Sequence, residues 1–480
     1  MQTLIKPLEG LAELLDIRKQ LQKQAGILQI AGCVDSQKTH MMYALSDGFR
    51  YKIIACSGEL KAKQIYEEYK FLDEHTYLYP AKDLLFYQAD LRSKELLKER
   101  MEVVQALLEE EQATVVTSFD GFMDSLLPLE EVKKRSISIR LGDTVDLEEL
   151  IQKISGLGYE REAQIEGIGQ FAVRGGIIDV YPLTEEVPVR IELWGDEVDS
   201  IRTFDLESQR SIENLEEAVV YPATEFVEET EGRVTFLDYF PEKESILFLD
   251  EPMRLMEKGE AVQKEFLTAQ ANRMESGYEV TTAEAKLYTP KEIAAKMERY
   301  AGVAFSALEV RAKEMKIQAM YSVLAKSVNS YNSSFDMLIK DLKRFMRNEY
   351  RVVLLSGSRT RAKRLAEDFR DYNLKSYYSE DLEREVEPGE ILVSYGHVAN
   401  GYEYPMLKFI VIAETDIFGR VKKKKKRKSY EGKKINSFTE LKVGDYVVHE
   451  NHGLGIYQGI EKIEVDKVTK DYMKVAYAGG

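Results

Sequence analysis

The chain has 480 residues, of which 44% are hydrophobic and 31% charged, with a formal net charge of -16. That length exceeds what one hydrophobic core organises, so several domains are expected. No uncharged apolar stretch approaches the roughly 20 residues needed to cross a bilayer, and the acidic balance disfavours a protein whose main task is gripping duplex phosphate, since each neutralised phosphate calls for a local Lys or Arg. The N-terminus lacks a basic segment followed by an apolar segment and a small-residue cleavage site, so a cytoplasmic location without membrane attachment is expected. The two cysteines, Cys33 and Cys56, are too few for a disulfide framework and lack ligand-spaced partners for zinc, so both read as buried thiols.

In chain order, helical periodicity over 8–24 gives way to short β-branched runs, ILQIAG, KIIAC, TYLYP and TVVTS, which alternate with helical stretches such as 59–71 and 94–111. That alternation predicts an α/β multidomain chain whose first domain, 1–135, has a parallel sheet covered by helices. From 136 to 222 the texture is strand-rich and turn-rich, with one helix around 147–157, as in an α+β insert. The α/β texture returns over 223–317, with ESILFLDEP as a buried strand and an amphipathic helix over 253–274, so this reads as the second part of the first domain. A further α/β unit spans 318–421: RVVLLSG, a helix over 360–372, EILVSYG and KFIVIAETD.

Residues 422–437 begin with seven consecutive basic residues, Lys422 to Lys428. Like charges at that density repel, and the run has no apolar face to dock, so it reads as a tether. Tyr430 is the one flanking aromatic available for base stacking. Residues 438–480 predict a small β-barrel, with strands over 443–449, 454–460 and 471–478 and glycine turns between them. His449 and His452 have no partners at ligand spacing and read as turn and surface residues. A closed barrel needs further strands beyond Gly480, so the chain is expected to stop inside its last domain.

The chemistry-bearing stretch is IAGCVDSQKTHM. A strand delivers Gly32, four residues pass, and Lys38-Thr39 opens a helix: G-x-x-x-x-G-K-Ser/Thr with Gln37 in place of the second glycine. A working loop needs that glycine because successive N–H groups converge on phosphate through backbone angles that cost a residue with a Cβ about 1–2 kcal/mol. Gln37 is expected either to bear that strain or to abandon the geometry, and to put a long side chain where phosphate would sit. Lys38 and Thr39 retain the phosphate and Mg²⁺ contacts. Asp250-Glu251, ending an apolar strand, matches a Walker-B pair. The strand KFIVIAETD is not followed by the Q-x-x-G-R-x-x-R helix that carries an arginine finger.

These stretches resemble a known family. Residues 1–310 resemble the N-terminal region of bacterial transcription-repair coupling factors, itself related to the excision-repair protein UvrB. The last 43 residues resemble the family's RNA polymerase-interacting domain, an SH3/Tudor-like barrel shared with CarD-type transcription factors. The resemblance rests on YEREAQIEGIGQFAVRGGIIDVYP, VPVRIELWGDEVDSIRTFDLESQRS, IFGR and KVGDYVVHENHGLGIYQGI, in the family's order. It implies a UvrB-like α/β domain with a degenerate P-loop and no ATPase capacity.

The resemblance further implies that the 136–222 insert recruits UvrA, with Tyr159, Arg161, Phe171, Arg174, Arg190 and Glu192 at the matching positions. Strand alternation puts Phe171 and Val173 on one face and Arg174 on the other. The competing reading makes these arginines internal ion-pair partners of Glu192 or Asp196. Residues 438–480 would contact the RNA polymerase β subunit through side chains the sequence does not identify. DNA, ATP and Mg belong, on this resemblance, to a translocase motor elsewhere in the full-length family member. This chain is expected to have no catalytic residue, metal or cofactor of its own, and to be a scaffold for transcription-coupled nucleotide excision repair. The rival is a UvrB-like ATP-dependent damaged-DNA-binding helicase, which Gln37 and the missing finger helix oppose. A CarD-like regulator with an enlarged N-terminus is opposed by the length of the UvrB-like portion.

Overall fold

The computed structural model describes residues 1–23, 25–82, 94–109, 111–224, 232–275, 287–310, 315–419, 444, 446–449, 453–465 and 468–477. They fall into two compact units, 1–421 and 422–480. The first unit opens with strands β1 (Gly26–Ala31), β2 (Tyr51–Cys56), β3 (Thr76–Tyr79) and β4 (Ala113–Ser118). All but β3 are buried along their whole length. Strands covered on both faces carry continuous apolar runs and pair in parallel through helical crossovers, which is why alternation was legible here.

The chain then leaves for a second layer: β5 (Ile137–Arg140), β6 (Glu160–Arg161), β7 (Gln170–Arg174), β8 (Ile177–Val180), β9 (Val189–Trp194), β10 (Glu197–Phe204), β11 (Ser211–Leu215) and β12 (Glu217–Val220). Six of these form a sheet ordered β11-β10-β9-β8-β7-β6, and β12 pairs separately with β5. Because β5 and β12 are antiparallel, with Ile137 opposite Val220, the chain leaves this region where it entered. The helix Leu147–Gly156 packs Leu150 and Ile154 onto Phe171, Ile178 and Ile191, giving the region a core of its own.

Back in the first layer, β13 (Ser245–Asp250), β14 (Ala301–Ser306) and β15 (Ile317–Ser322) complete a seven-stranded sheet ordered β15-β1-β14-β13-β2-β4-β3. Its pairings are all parallel. The sheet thus takes in residues up to Ser322. β15 lies along the outer side of β1, a pairing across nearly the whole domain that local texture cannot reveal.

The next sheet comprises β16 (Lys326–Ser327), β17 (Arg351–Ser356), β18 (Ser376–Tyr378), β19 (Ile391–Tyr395), β20 (Tyr402–Tyr404) and β21 (Phe409–Ala413), ordered β16-β20-β21-β17-β19-β18. It shares a core with the first: Leu28, Ile30 and Met41 belong to one cluster with Val353, Tyr402, Tyr404 and Val411. The N-terminal segment ties the two together. Thr3 N donates to Leu382 O at 2.8 Å, and Lys6 pairs with Glu385.

The second unit is a three-stranded antiparallel sheet, β22 (Tyr446–His449), β23 (Gly453–Val465) and β24 (Val468–Tyr477). The basic run Lys422–Lys428 and His452 lie outside the described residues. Among the described residues no helix is long and apolar enough to cross a membrane, and no group of three or more potential metal ligands occurs. Cys33 and Cys56 are free and buried, and burial pushes the Cys33 thiol up to about 12.

At the shared core His40 is 2% exposed. Its Nε2 lies 2.8 Å from Leu4 O and its Nδ1 3.1 Å from the Tyr404 hydroxyl. A carbonyl only accepts, so Nε2 carries the proton and Nδ1 accepts from Tyr404. Burial lowers the His40 pKa from 6.5 to about 4, the Leu4 hydrogen bond opposing it. The unfolded chain therefore binds the extra proton first. Stability is complete above the unfolded value of 6.5 and is lost as pH falls through about 4. Urea unfolding across that window is expected to cost the native protein on the order of 3 kcal/mol more than a His40→Gln variant; parallel pH curves for the two would refute this.

Candidate functional site

The loop after β1 turns at Gly32, whose φ of 81° uses glycine's access to the left-handed region. The following helix, Asp35–Leu45, begins before Gln37. Gln37 is therefore helical, and its Oε1 folds back to accept from Val34 N at 3.2 Å. Its side chain thus takes up one of the loop N–H groups that a phosphate would otherwise meet. Of the two backbone outcomes foreseen for Gln37, the second holds: the residue lies inside the helix, outside the left-handed region, and so bears no strain, while its side chain caps the Val34 N–H.

Lys38 Nζ lies 2.7 Å from Asp250 Oδ1 and 2.6 Å from Glu251 Oε1. Its side chain is 4% exposed, that of Asp250 3% and that of Glu251 23%. Glu251 adopts φ 57°, which swings its carboxylate beside that of Asp250; its N donates to Phe305 O, and its Oε1 also accepts from Ala307 N at 2.9 Å. Burial acts to lower the Lys38 pKa, but the charges and hydrogen bonds of Asp250 and Glu251 prevail and hold it above its ordinary value.

Thr39 Oγ1 donates to Glu68 Oε2 at 2.8 Å, and Ser36 Oγ to Glu68 Oε1 at 2.9 Å. Glu68, 1% exposed, also accepts from Ala399 N at 3.1 Å, and Asn400 N donates to Ser36 Oγ at 3.1 Å. The ammonium and hydroxyl that would meet phosphate and Mg²⁺ are thus engaged by carboxylates of the same chain, and the 399–400 backbone closes over them. Sequence reading missed Glu68 because its partners come from another helix and from 331 positions away.

In the second layer the register separates the candidate residues. Phe171 is 0% and Tyr159 4% exposed. Phe171 packs in the core under the helix, and the Tyr159 hydroxyl donates to Tyr221 O at 3.0 Å. Neither presents a contact surface; burial of a large aromatic side chain is what stabilises this small layer. Arg174, Arg190 and Glu192 lie on the opposite, outer face, since Ala172 is opposite Asp179, Asp179 opposite Arg190, and Ile177 opposite Glu192.

Arg190 grips Asp179 through Nε at 2.6 Å and Nη2 at 2.9 Å, and Arg174 Nη2 reaches the same carboxylate at 2.8 Å. The partner of both arginines is therefore Asp179, not Glu192 or Asp196. Glu192 pairs with Arg202. Arg174 remains 49% exposed, whereas Arg190 is 14% exposed. Arg161 is exposed and makes no side-chain hydrogen bond or ion pair among the described residues. Trp194, the chain's one tryptophan, shares the outer face with Glu192 and is 83% exposed. The signal for it was period-2 alternation, which gives Trp194 the same face as Arg190 and Glu192.

Residues 137–226 match the UvrB interaction domain family, and residues 441–480 the CarD-like/TRCF RID domain family. Along its whole length the chain is 29% identical to a transcription-repair-coupling factor of Bacillus subtilis (strain 168), covering 46% of that protein. It is 29% identical over 84% of its length to the factor of the same name from Staphylococcus haemolyticus (strain JCSC1435), and 28% identical over 85% of its length to that of Staphylococcus epidermidis (strain ATCC 35984), covering 39% of each. The chain thus spans less than half the length of these relatives.

The buried Lys38 cluster makes a sharp stability forecast. Lys38→Ala leaves the buried Asp250 carboxylate without its cation and is expected to lower unfolding free energy by roughly 3 kcal/mol or more. Lys38→Met combined with Asp250→Leu removes the two most buried charges and leaves only the partly exposed Glu251, still bonded to Ala307 N, so it should recover much of that loss. A Lys38→Ala protein as stable as the native one in denaturant titration would contradict the ion cluster.

Proposed function

We propose that this chain is a scaffold of transcription-coupled nucleotide excision repair, binding UvrA through the 136–222 insert and the RNA polymerase β subunit through the module from 438 onward. The observation that carries the reading is the outer face of the insert sheet, where a half-exposed Arg174 and an exposed Trp194 stand beside an Arg190–Asp179 pair, with an exposed Arg161, free of side-chain partners among the described residues, in the same sheet. Arginine and tryptophan concentrate binding energy at protein interfaces, and a guanidinium pairs bidentately with a partner's carboxylate. The match of 137–226 to the UvrB interaction domain and of 441–480 to the CarD-like/TRCF RID domain supports the same partners. On this reading the seven-stranded parallel sheet is a UvrB-like domain with a disused phosphate loop, and β22–β24 belong to an SH3/Tudor-like barrel.

The partition of roles among the arginines is testable. In pull-down and titration with purified UvrA, Arg161→Ala, Arg174→Ala and Trp194→Ala should each weaken binding about tenfold, roughly 1.4 kcal/mol, with the melting temperature nearly unchanged. Arg190→Ala should instead destabilise the insert by about 2 kcal/mol, because it leaves the buried Asp179 carboxylate with only the single hydrogen bond from the half-exposed Arg174, and lose binding only in proportion to unfolding. Were Arg174→Ala to behave like Arg190→Ala, its role would be internal and the interface assignment would fail.

We also infer that the chain turns over no ATP of its own. The anion nest is replaced by helix, and Lys38 and Thr39 are held by Asp250, Glu251 and Glu68. Gln37→Gly alone leaves those carboxylates in place and should not restore activity. Steady phosphate release by the purified chain, with or without DNA, would count against the inference.

A further inference from the structure

The described residues of the first unit enclose a cleft of about 480 Å³ at the root of the insert. Its walls come from both sides of that junction. Met101, Val104 and Val132 belong to the α/β domain, while Leu157 belongs to the insert. The two chain crossings that join them, Ser136–Ser138 on the way out and Pro222 with Thr224 on the return, complete the enclosure. A volume of this size, with an apolar wall beside polar groups and seated between two packed bodies, is typical of small-molecule sites.

The charge of the lining is one-sided. The whole chain carries 83 acidic residues against 67 basic ones, yet the lining holds Lys134, Arg135 and Lys153 and no carboxylate among the described residues. Lys134 pairs with Glu131 at 2.6 Å and Lys153 with Glu149 at 2.7 Å, both as exposed pairs within one helical turn. Such pairs contribute little, so either cation can exchange its partner for an incoming anion at small cost. Ser125 Oγ, also in the lining, is buried and has no hydrogen-bond partner among the described residues.

We propose that this cleft binds an amphipathic organic anion, a molecule with an apolar body that lies against Met101, Val104, Val132 and Leu157 and one anionic group that meets Lys153, Arg135 and Lys134. The apolar body supplies affinity by leaving water. The anionic group sets its orientation, because Lys134 and Lys153 are 69% and 58% exposed whereas the apolar residues of the lining named above are buried. A ligand held there touches both crossings between the insert and the α/β domain, and so biases how the insert is carried.

The test uses the full chain and anilinonaphthalene sulfonate, an aromatic body with one sulfonate, followed by fluorescence and equilibrium dialysis. One saturable site is expected, with the uncharged N-phenylnaphthylamine bound at least tenfold more weakly. Gly156 lines the cleft, and a Cβ built on it meets nothing within 4 Å, so Gly156→Phe fills the space from the last turn of its helix. That variant should abolish saturable binding. Lys153→Glu, at a side chain 58% exposed, leaves packing untouched and should weaken the sulfonate at least tenfold while sparing the neutral probe. It keeps the test decisive if Gly156→Phe does not fold. Saturable binding that survives both substitutions, equal affinity for the two probes, or no saturable binding at all would overturn the proposal.

Discussion

A lysine ammonium buried between two carboxylates organises the centre of this molecule. Lys38 comes from the start of the helix after β1, and Asp250 and Glu251 from the end of β13. An isolated charge at that depth would be costly, whereas a cation touching two anions recovers much of the lost hydration. The consequence is geometric. Helix, strand end and the turn after β14 are held in one register, and the groups that would serve a nucleotide serve the fold.

The neighbouring Glu68 extends the same logic to the second sheet. Its carboxylate gathers Ser36, Thr39 and the backbone of Ala399 in a place closed to water. The two α/β sheets therefore meet through a polar seam laid over a continuous apolar core, with His40 held neutral in its middle. A cleft between such sheets, had it stayed open, would suit a ligand. Here it is filled by the chain's own side chains.

The insert divides its labour by face. Its inner face buries Phe171, Ile178 and Ile191 under one helix, enough to keep a small layer rigid. The outer face spans a range of exposure, from Arg190 locked on Asp179 to Arg174 sharing that carboxylate while half open to solvent. Rigid anchor and available donor lie side by side, an arrangement that presents a guanidinium at low entropic cost.

Much of this was legible from residue order, because it depends on neighbours in the chain. Continuous β-branched runs marked the strands buried on both faces, and the change of texture at 136 and 222 marked the excursion into a separate layer. Two-residue alternation correctly separated Phe171 from Arg174. Gln37 in place of glycine announced a loop that departs from phosphate-binding geometry. What sequence alone left undecided were pairings between distant positions. The choice of Asp179 over Glu192 as the arginines' partner, the capture of Thr39 by Glu68, the addition of β15 beside β1 and the burial of Tyr159 each depend on which surfaces meet once the layers pack. Local pattern carries the period of an element and the face it buries. Only tertiary contact brings a carboxylate from another helix within 3 Å of a hydroxyl, and that contact decides whether a conspicuous residue is a site or a strut.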